Sequence, residues 1–421
     1  MDAFYKQVEE AVREPGNPLL EAEIRKLAER QGPITFAEFM ELALYHPEHG
    51  YYRSEGEKLG PRGDFCTSPE THPVFGTLIG MQLEQMWTAL GAPEEFTVVE
   101  VGAGNGSLCS QILRYACSSE LHRHLRYVIV EKSAELAQKQ REHLNGENLS
   151  GLARDELANV TWFEPTESSP LPSNVTGCYI SNELLDAFPV HRVTMREGKL
   201  REIYVGYDDT YFVDIVGDLS TLALAEYFDS LGIALGEGAK AEVNLAALEW
   251  IHRVADSLSA GFVITLDYGF PAEDLFSAKR SEGTLMSYFK HTCGVDPYAR
   301  VGRQDMTTHV DFTSLISAGR TAGLKFAGLV SQSDFLTNLG LDGCIAALGR
   351  SNLSPAVYYD NKFAMRRLVT PDGLGKFKVL VQQKGLVEAE LDCFNPCNDR
   401  KRELITGKRG LEVPLLMPST E

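Results

Sequence analysis

The 421-residue chain contains no apolar run long enough to span a bilayer, so no membrane insertion is expected. It is short of positive charge: 40 Lys and Arg stand against 59 Asp and Glu, for a net charge of −19. Nucleic acids and anionic bilayers are drawn by clustered positive charge, so neither is an expected partner. Paired cysteines are also scarce. Of the 8 cysteines only Cys393 and Cys397 lie close, and a lone C-x-x-x-C is too little for a metal site. The opening MDAFYKQVEEAVREPGNP is acidic and amphipathic, neither an apolar signal nor an Arg-rich transit peptide, so a cytoplasmic location is expected. Internal repeats and low-complexity stretches are missing too. What is present is ordinary globular material, 43% hydrophobic and 24% charged, enough for one elaborated domain or two to three ordinary ones.

Periodicity predicts three parts. Residues 1–92 read as a helical and loop N-terminal lobe, 93–385 as a core with a β-rich insertion at about 190–240, and 386–421 as a loosely ordered tail. In the lobe, Leu19, Leu20, Ile24 and Leu27 form a helical stripe that Gly32-Pro33 ends. Thr35 and Glu38 occupy capping-box positions of a second helix, 46–72 reads as loop, and 74–90 as helix. The core alternates as a doubly wound α/β fold does. Strands are expected at 97–101, 127–130, 160–163, 178–181, 261–267, 324–330 and 376–382. Helices are expected from Ser107, at 134–144 behind an N-cap Ser133, and at 243–258, 314–322 and 335–348. Between 190 and 216 the period falls to two around a hairpin turn at Glu197-Gly198-Lys199.

Residues 97–106 read Thr-Val-Val-Glu-Val-Gly-Ala-Gly-Asn-Gly. A β-branched strand ends at the acid Glu100, one residue before a turn of Gly102, Gly104 and Gly106, and Ser107 and Leu108 open a helix. Such a junction exposes bare backbone to a ligand. A dinucleotide fingerprint would place its third glycine at Ser107, which disfavours a nicotinamide cofactor. The spacing, with an acid just before it, is similar to the first motif of class I S-adenosylmethionine (SAM) methyltransferases. SAM carries a sulfonium and an ammonium that a carboxylate can face. Glu131 ends the second strand, where a carboxylate can accept hydrogen bonds from both ribose hydroxyls; the alternative is a surface pair with Lys132. The fourth strand runs into Ser181-Asn182-Glu183-Leu184-Leu185-Asp186. Asn182 and Glu183 are expected at the reacting end of the cofactor. Glu183 and Asp186, three residues apart on one helical turn, could clamp a guanidinium bidentately. Asp186 serves equally well as a first-turn acid favoured by the helix dipole.

Seven ordered segments, spanning roughly 30–385, resemble the MidA family, which includes the mitochondrial complex I assembly-factor arginine methyltransferase. They are ITFAEFMELALYHPEHGYYR (34–53), GDFCTSPETHPVFGTLIG (63–80), the glycine motif (99–108), SNELLDAFPVHRV (181–193), LDYG (266–269), GTLMSYFKHTCGVDPYARVGRQDMTTHVDF (283–312) and 377–380. The resemblance implies an α/β class I SAM-methyltransferase fold, a Rossmann-like sheet with added lobes. Its cofactor would be SAM, held by Gly102, Gly104, Gly106 and Glu131, with Thr67, Ser68 and Glu70 in a lid. The acceptor would be a protein or peptide, arginine by analogy. His309 is a candidate general base because imidazole titrates near neutrality, with Tyr268 and His291 as alternatives. Asn105 stands where a basic residue is expected, a departure predicted to alter only the surface.

The leading reading is a SAM-dependent protein methyltransferase. Within that chemistry a small molecule or a modified peptide could be the acceptor instead. The reading from another class is a docking platform that keeps the fold without catalysis. A homodimer stays open.

Overall fold

The computed structural model describes residues 15–53, 67–145, 159–208, 210–290, 292–387, 389–395 and 413–416. The chain divides into two compact units, each discontinuous in sequence. An accessory unit collects Met1–Cys66, Leu185–Trp250 and Gly269–Ala318; a core unit collects Thr67–Leu184, Ile251–Tyr268 and Gly319–Glu421. This cuts across the linear division expected from periodicity. Strand pairing joins segments far apart in the chain, and periodicity carries no information about pairing.

Strands are numbered in chain order. In the accessory unit, β1 (Ile34–Thr35), β6 (His191–Arg196), β7 (Lys199–Tyr207), β8 (Phe212–Gly217) and β9 (Lys240–Val243) form an antiparallel sheet in the order β1-β7-β6-β9, with β8 beside β7. The β6–β7 hairpin turns where expected: Glu197 and Gly198 have φ of 53° and 68°, the left-handed pair that a two-residue hairpin needs. A small sheet of β12 (Met286–Phe289), β13 (Thr292–Gly294) and β14 (Asp305–Thr307) has the order β13-β12-β14. Gly269–Phe270 (β11) and Val310–Asp311 (β15) pair in parallel. Thr35 caps helix Phe36–Tyr45 in a reciprocal box with Glu38, as expected. Leu20, Ile24, Phe36, Phe39 and Leu44 bury fully in one cluster. Leu19, expected on the same stripe, is 59% exposed, because the helical turn sets it about 100° away from Leu20, on whose face Ile24 is buried.

The core unit holds a seven-stranded sheet. Its strands are β2 (Phe96–Val101), β3 (Leu125–Val130), β4 (Val160–Phe163), β5 (Val175–Asn182), β10 (Leu258–Asp267), β16 (Lys325–Ser331) and β17 (Lys378–Lys384), in the order β16-β17-β10-β5-β2-β3-β4. β2, β3, β4, β5 and β10 run parallel, and β17 is antiparallel to β10 and β16. The parallel strands are buried on both faces, which is why they read as continuous apolar runs. Two glycines permit the central pairing. A Cβ on Gly177 would sit 2.0 Å from the Thr97 carbonyl oxygen, and one on Gly261 would sit 1.9 Å from the Gly177 oxygen. Helices Val74–Ala89 and Ser107–Ala116 pack one face of the sheet into the largest apolar cluster.

Some boundaries depart from expectation. The helix predicted over 335–348 is two helices, Gln332–Asn338 and Leu341–Leu348, broken where Gly340 adopts φ 105°. The 46–72 stretch holds a 3-10 turn, Tyr51–Arg53, and a short helix, Ser68–Thr71. The described part of the tail is docked: Cys393 is fully buried, its N–H donates to Gln82 Oε1 at 3.0 Å, and the Asp392 N–H donates to Gln85 Oε1 at 2.8 Å. Glutamines on Val74–Ala89 supply the partners that polar tail backbone requires. Among the described residues no helix is long and apolar enough to cross a membrane.

Candidate functional site

The β2 strand delivers the chain into the glycine turn. Gly102, Gly104 and Gly106 adopt φ of 71°, 55° and 86°, a left-handed run that side-chained residues resist. A Cβ on Gly102 would also come within 2.8 Å of Leu184 Cδ1. Gly106, at the N-cap of helix Ser107–Ala116, brings no side chain of its own, so backbone stays accessible at the positive end of the helix. Asn105 does more than decorate the surface, which corrects that expectation. Its Oδ1 accepts from the Ser107 N–H at 3.0 Å and its Nδ2 donates to Glu70 Oε1 at 3.0 Å, tying the turn to helix Ser68–Thr71.

Glu131 sits just past β3, half-buried. Its Oε1 accepts from the Ser133 N–H at 2.8 Å, and its Oε2 accepts from Gln140 Nε2 at 3.1 Å. A carboxylate fixed at this strand end is the group type that accepts from a vicinal diol. Gln140 was not legible as a site residue. Fully buried, it also donates to the Gly104 carbonyl at 3.0 Å and accepts from Trp162 Nε1 at 3.0 Å. One amide therefore fixes the glycine turn, the carboxylate and an indole together. The available signal was a glutamine on the buried face of Ala134–Asn145, between Ala137 and Leu144.

Glu100 lies beneath the turn, 3% exposed, and its Oε2 accepts from the Tyr127 hydroxyl at 2.7 Å. Burial pushes its pKa up to about 7, partly offset by the Tyr127 hydrogen bond.

At the carboxyl end of β5, Asn182 Nδ2 donates to Glu183 Oε1 at 3.1 Å, while Asn182 Oδ1 is buried with no hydrogen-bond partner among the described residues. An orphaned acceptor here fits a ligand that donates to it. Glu183 takes φ 52°, a costly conformation outside glycine. Asp267, the fully buried last residue of β10, anchors two neighbouring turns by their backbone. It accepts from the Leu184 N–H at 3.3 Å and the Tyr268 N–H at 2.9 Å. The Leu-Asp-Tyr-Gly ending of that strand was its only trace in the sequence.

The expected helical turn carrying Glu183 and Asp186 does not form. Residues 183–190 are turns, since a left-handed Glu183 cannot enter a helix and Pro189 disfavours helical backbone just before it. Glu183 belongs to the core unit and Asp186 to the accessory unit.

The three lid candidates are held internally. Thr67 and Glu70 close a capping box, with the Thr67 N–H on Glu70 Oε2 at 3.0 Å. Ser68 is fully buried and donates to Gln332 Oε1 at 3.0 Å. His309 lies in the accessory unit, its N–H on Thr284 Oγ1 at 3.1 Å and its ring 5.3 Å from Phe270. Tyr268 lies in the core unit, its ring 5.2 Å from Phe377. His291 falls outside the described residues.

The Methyltransf_28 family model, of S-adenosyl-L-methionine-dependent methyltransferases, matches residues 78–330. A crystal structure of a protein from Burkholderia thailandensis bound to S-adenosyl-homocysteine superposes with a TM-score of 0.80. It is 32% identical, over 89% of this chain and 94% of that one. The "Protein arginine methyltransferase NDUFAF7, mitochondrial" of Bos taurus is 29% identical over 77% of this chain and 74% of its own length. The Homo sapiens protein of that name is 27% identical over 89% and 85%. The mitochondrial location in those names overturns the cytoplasmic expectation, which rested on an amphipathic opening segment that composition alone cannot place.

The residues present fit SAM: left-handed glycines at a helix start, a braced carboxylate and an orphaned amide oxygen. With 253 of its 421 residues matched, the chain belongs to the Methyltransf_28 family, of MidA type, and is a SAM-dependent methyltransferase.

Proposed function

We propose that this methyltransferase modifies a protein side chain, and that the acceptor is an arginine guanidinium. One observation carries the reading: the likeness to proteins named arginine methyltransferases extends over 77–89% of the chain.

Bound SAM supplies a methyl group made electrophilic by its sulfonium. The chain's own residues bind and orient. Gly102, Gly104, Gly106, Ser107 and Leu108 offer backbone and the helix start. Glu131 takes the ribose hydroxyls, and Asn182 Oδ1 accepts from the ligand. Glu100 supports the turn from beneath and holds the Tyr127 hydroxyl. Thr67, Ser68 and Glu70 hold the edge of the site through Asn105 and Gln332. Glu183, just past the end of β5, is the proposed carboxylate for the guanidinium. In the transfer a nitrogen–carbon bond forms, the carbon–sulfur bond breaks with its electron pair going to sulfur, and the guanidinium nitrogen loses one proton. His309 is the proposed acceptor of that proton, with Tyr268 as the alternative.

The test is transfer from methyl-tritiated SAM into a panel of arginine-containing peptides, with acid hydrolysis and chromatography of the products. Label in methylarginine supports the reading. Label confined to a small molecule, or released by mild base as an ester, overturns it. SAH binding with no transfer to any acceptor favours a docking platform.

A further inference from the structure

The accessory unit gathers phenols and carboxylates from four distant stretches of chain. Tyr45 ends helix Phe36–Tyr45, and Tyr52 lies in the turn Tyr51–Arg53. Their rings stack with centroids 5.3 Å apart at an interplanar angle of 21°. The Tyr52 hydroxyl donates to Asp305 Oδ1 at 3.1 Å. The Tyr45 hydroxyl donates to the Ala187 carbonyl at 2.9 Å, one residue beyond Asp186. The Asp186 carbonyl accepts from the Thr308 N–H at 2.9 Å, which pins that turn to the end of β14.

In the β12–β14 pairing, Asp305 is opposite Tyr288 and Thr307 is opposite Met286. Asp305, Thr307 and Tyr288 therefore share one face of the small sheet. The acids lie deep, Asp186 at 5% and Asp305 at 2% exposure, whereas Tyr45, Tyr52 and Tyr288 are only half-buried. All three phenols register the acids. Burial raises their pKa values first, and the charges of both Asp186 and Asp305 add to the effect at each.

Thr307 is an independent sign. It is 4% exposed, and its Oγ1 has no well-formed hydrogen bond among the described residues beyond a weak contact with the Tyr288 hydroxyl, whose ionisation it eases. A buried hydroxyl that is only weakly bonded is completed by a ligand with a donor to offer. The chemistry that satisfies this set is planar, cationic and rich in donors. A guanidinium stacks on phenol faces and bonds carboxylates in a fork, which a rounded ammonium does not.

We propose that Asp305, with Asp186, Thr307 and the Tyr45–Tyr52 stack, forms a guanidinium-recognition pocket in the accessory unit, and that Asp305 determines specificity for a cationic acceptor. The identity of the acceptor rests on the proposed arginine methylation; the pocket's preference for a guanidinium is a property of these residues.

Saturation-transfer NMR on the full chain, with and without saturating SAH, measures binding of Nα-acetyl-arginine amide against the neutral citrulline isostere and the lysine analogue. Arginine should bind at least about tenfold tighter than citrulline, the order expected for charge-assisted bonds. Asp305→Asn should lose about tenfold or more for arginine, while SAH affinity by calorimetry stays within about twofold. The double variant Tyr45→Phe/Tyr52→Phe should lose part of the preference, and it decides the matter if Asp305→Asn fails to fold. Equal binding of arginine and citrulline, no arginine binding, or a full preference in folded variants overturns the pocket. If the wild type binds no SAH, the methyltransferase reading fails by itself, and the arginine–citrulline comparison without SAH still decides the pocket.

Discussion

The glycine turn of the core unit and the tyrosine–carboxylate cluster of the accessory unit are built by opposite means. The turn works with backbone: three left-handed glycines within five residues, backed by Gln140 and Glu131. The cluster works with side chains, and its key bond joins Tyr52 to Asp305, 253 residues apart. A backbone site tolerates no added side chain and gives a sharp loss when one is introduced. A side-chain site loses affinity by degrees, one group at a time. This difference suits the two proposed ligands, a nucleoside of one fixed shape and an acceptor selected by charge.

Gly104→Arg should break the contrast most sharply. A bulky residue at φ 55°, in the turn itself, should weaken SAH binding by more than about a hundredfold in calorimetric titration. Near-wild-type affinity would remove the turn from the site.

The next effect is on stability. The folded pKa of Glu100 is about 7, above its ordinary 4.5, so the folded chain holds a proton that the unfolded chain releases. Stability should then be fully present below pH 4.5, fall as pH rises toward 7, and level off above it, by up to about 3 kcal/mol in total. Denaturant titrations at about pH 5 and pH 8 should show this slope in the wild type, and Glu100→Gln should flatten it. An identical slope in both proteins would assign it elsewhere.

Gln140→Ala should weaken SAH about fivefold to tenfold, as expected for losing a brace rather than a direct ligand. It should also shift the emission of Trp162, whose indole N–H loses its acceptor. Unchanged fluorescence would mean that the indole finds another partner.

The smallest effect is the most discriminating. Tyr52→Phe should cost about 1 kcal/mol in thermal unfolding and leave SAH affinity untouched. A loss of SAH binding would show that the two regions do not divide the work as described.

Much of the core unit was legible because its signals are local. β-branched runs and the glycine spacing each depend on a few consecutive residues, and backbone conformation is set by them directly; the Thr35–Glu38 box of the accessory unit is legible for the same reason. The position of Glu131 just past β3 follows in the same way from where its strand stops. Asp186 shows where this reasoning fails. Three-residue spacing from Glu183 suggested a shared helical turn, yet a left-handed Glu183 and a nearby proline leave only turns. Gln140 and Asp267 were hidden because a buried polar residue is recognised by its partners, which lie 36 and 83 residues away.

The sequence by itself determined the strand–turn–helix junction, the family and the cofactor it implies, since those rest on the order of residues along one stretch of chain. Only the tertiary structure decided that the chain interleaves into two units, that Gln140 braces the turn, and that Asp305 joins the tyrosine stack. Those depend on which distant strands pair, and pairing is set by burial of whole faces and not by any local run.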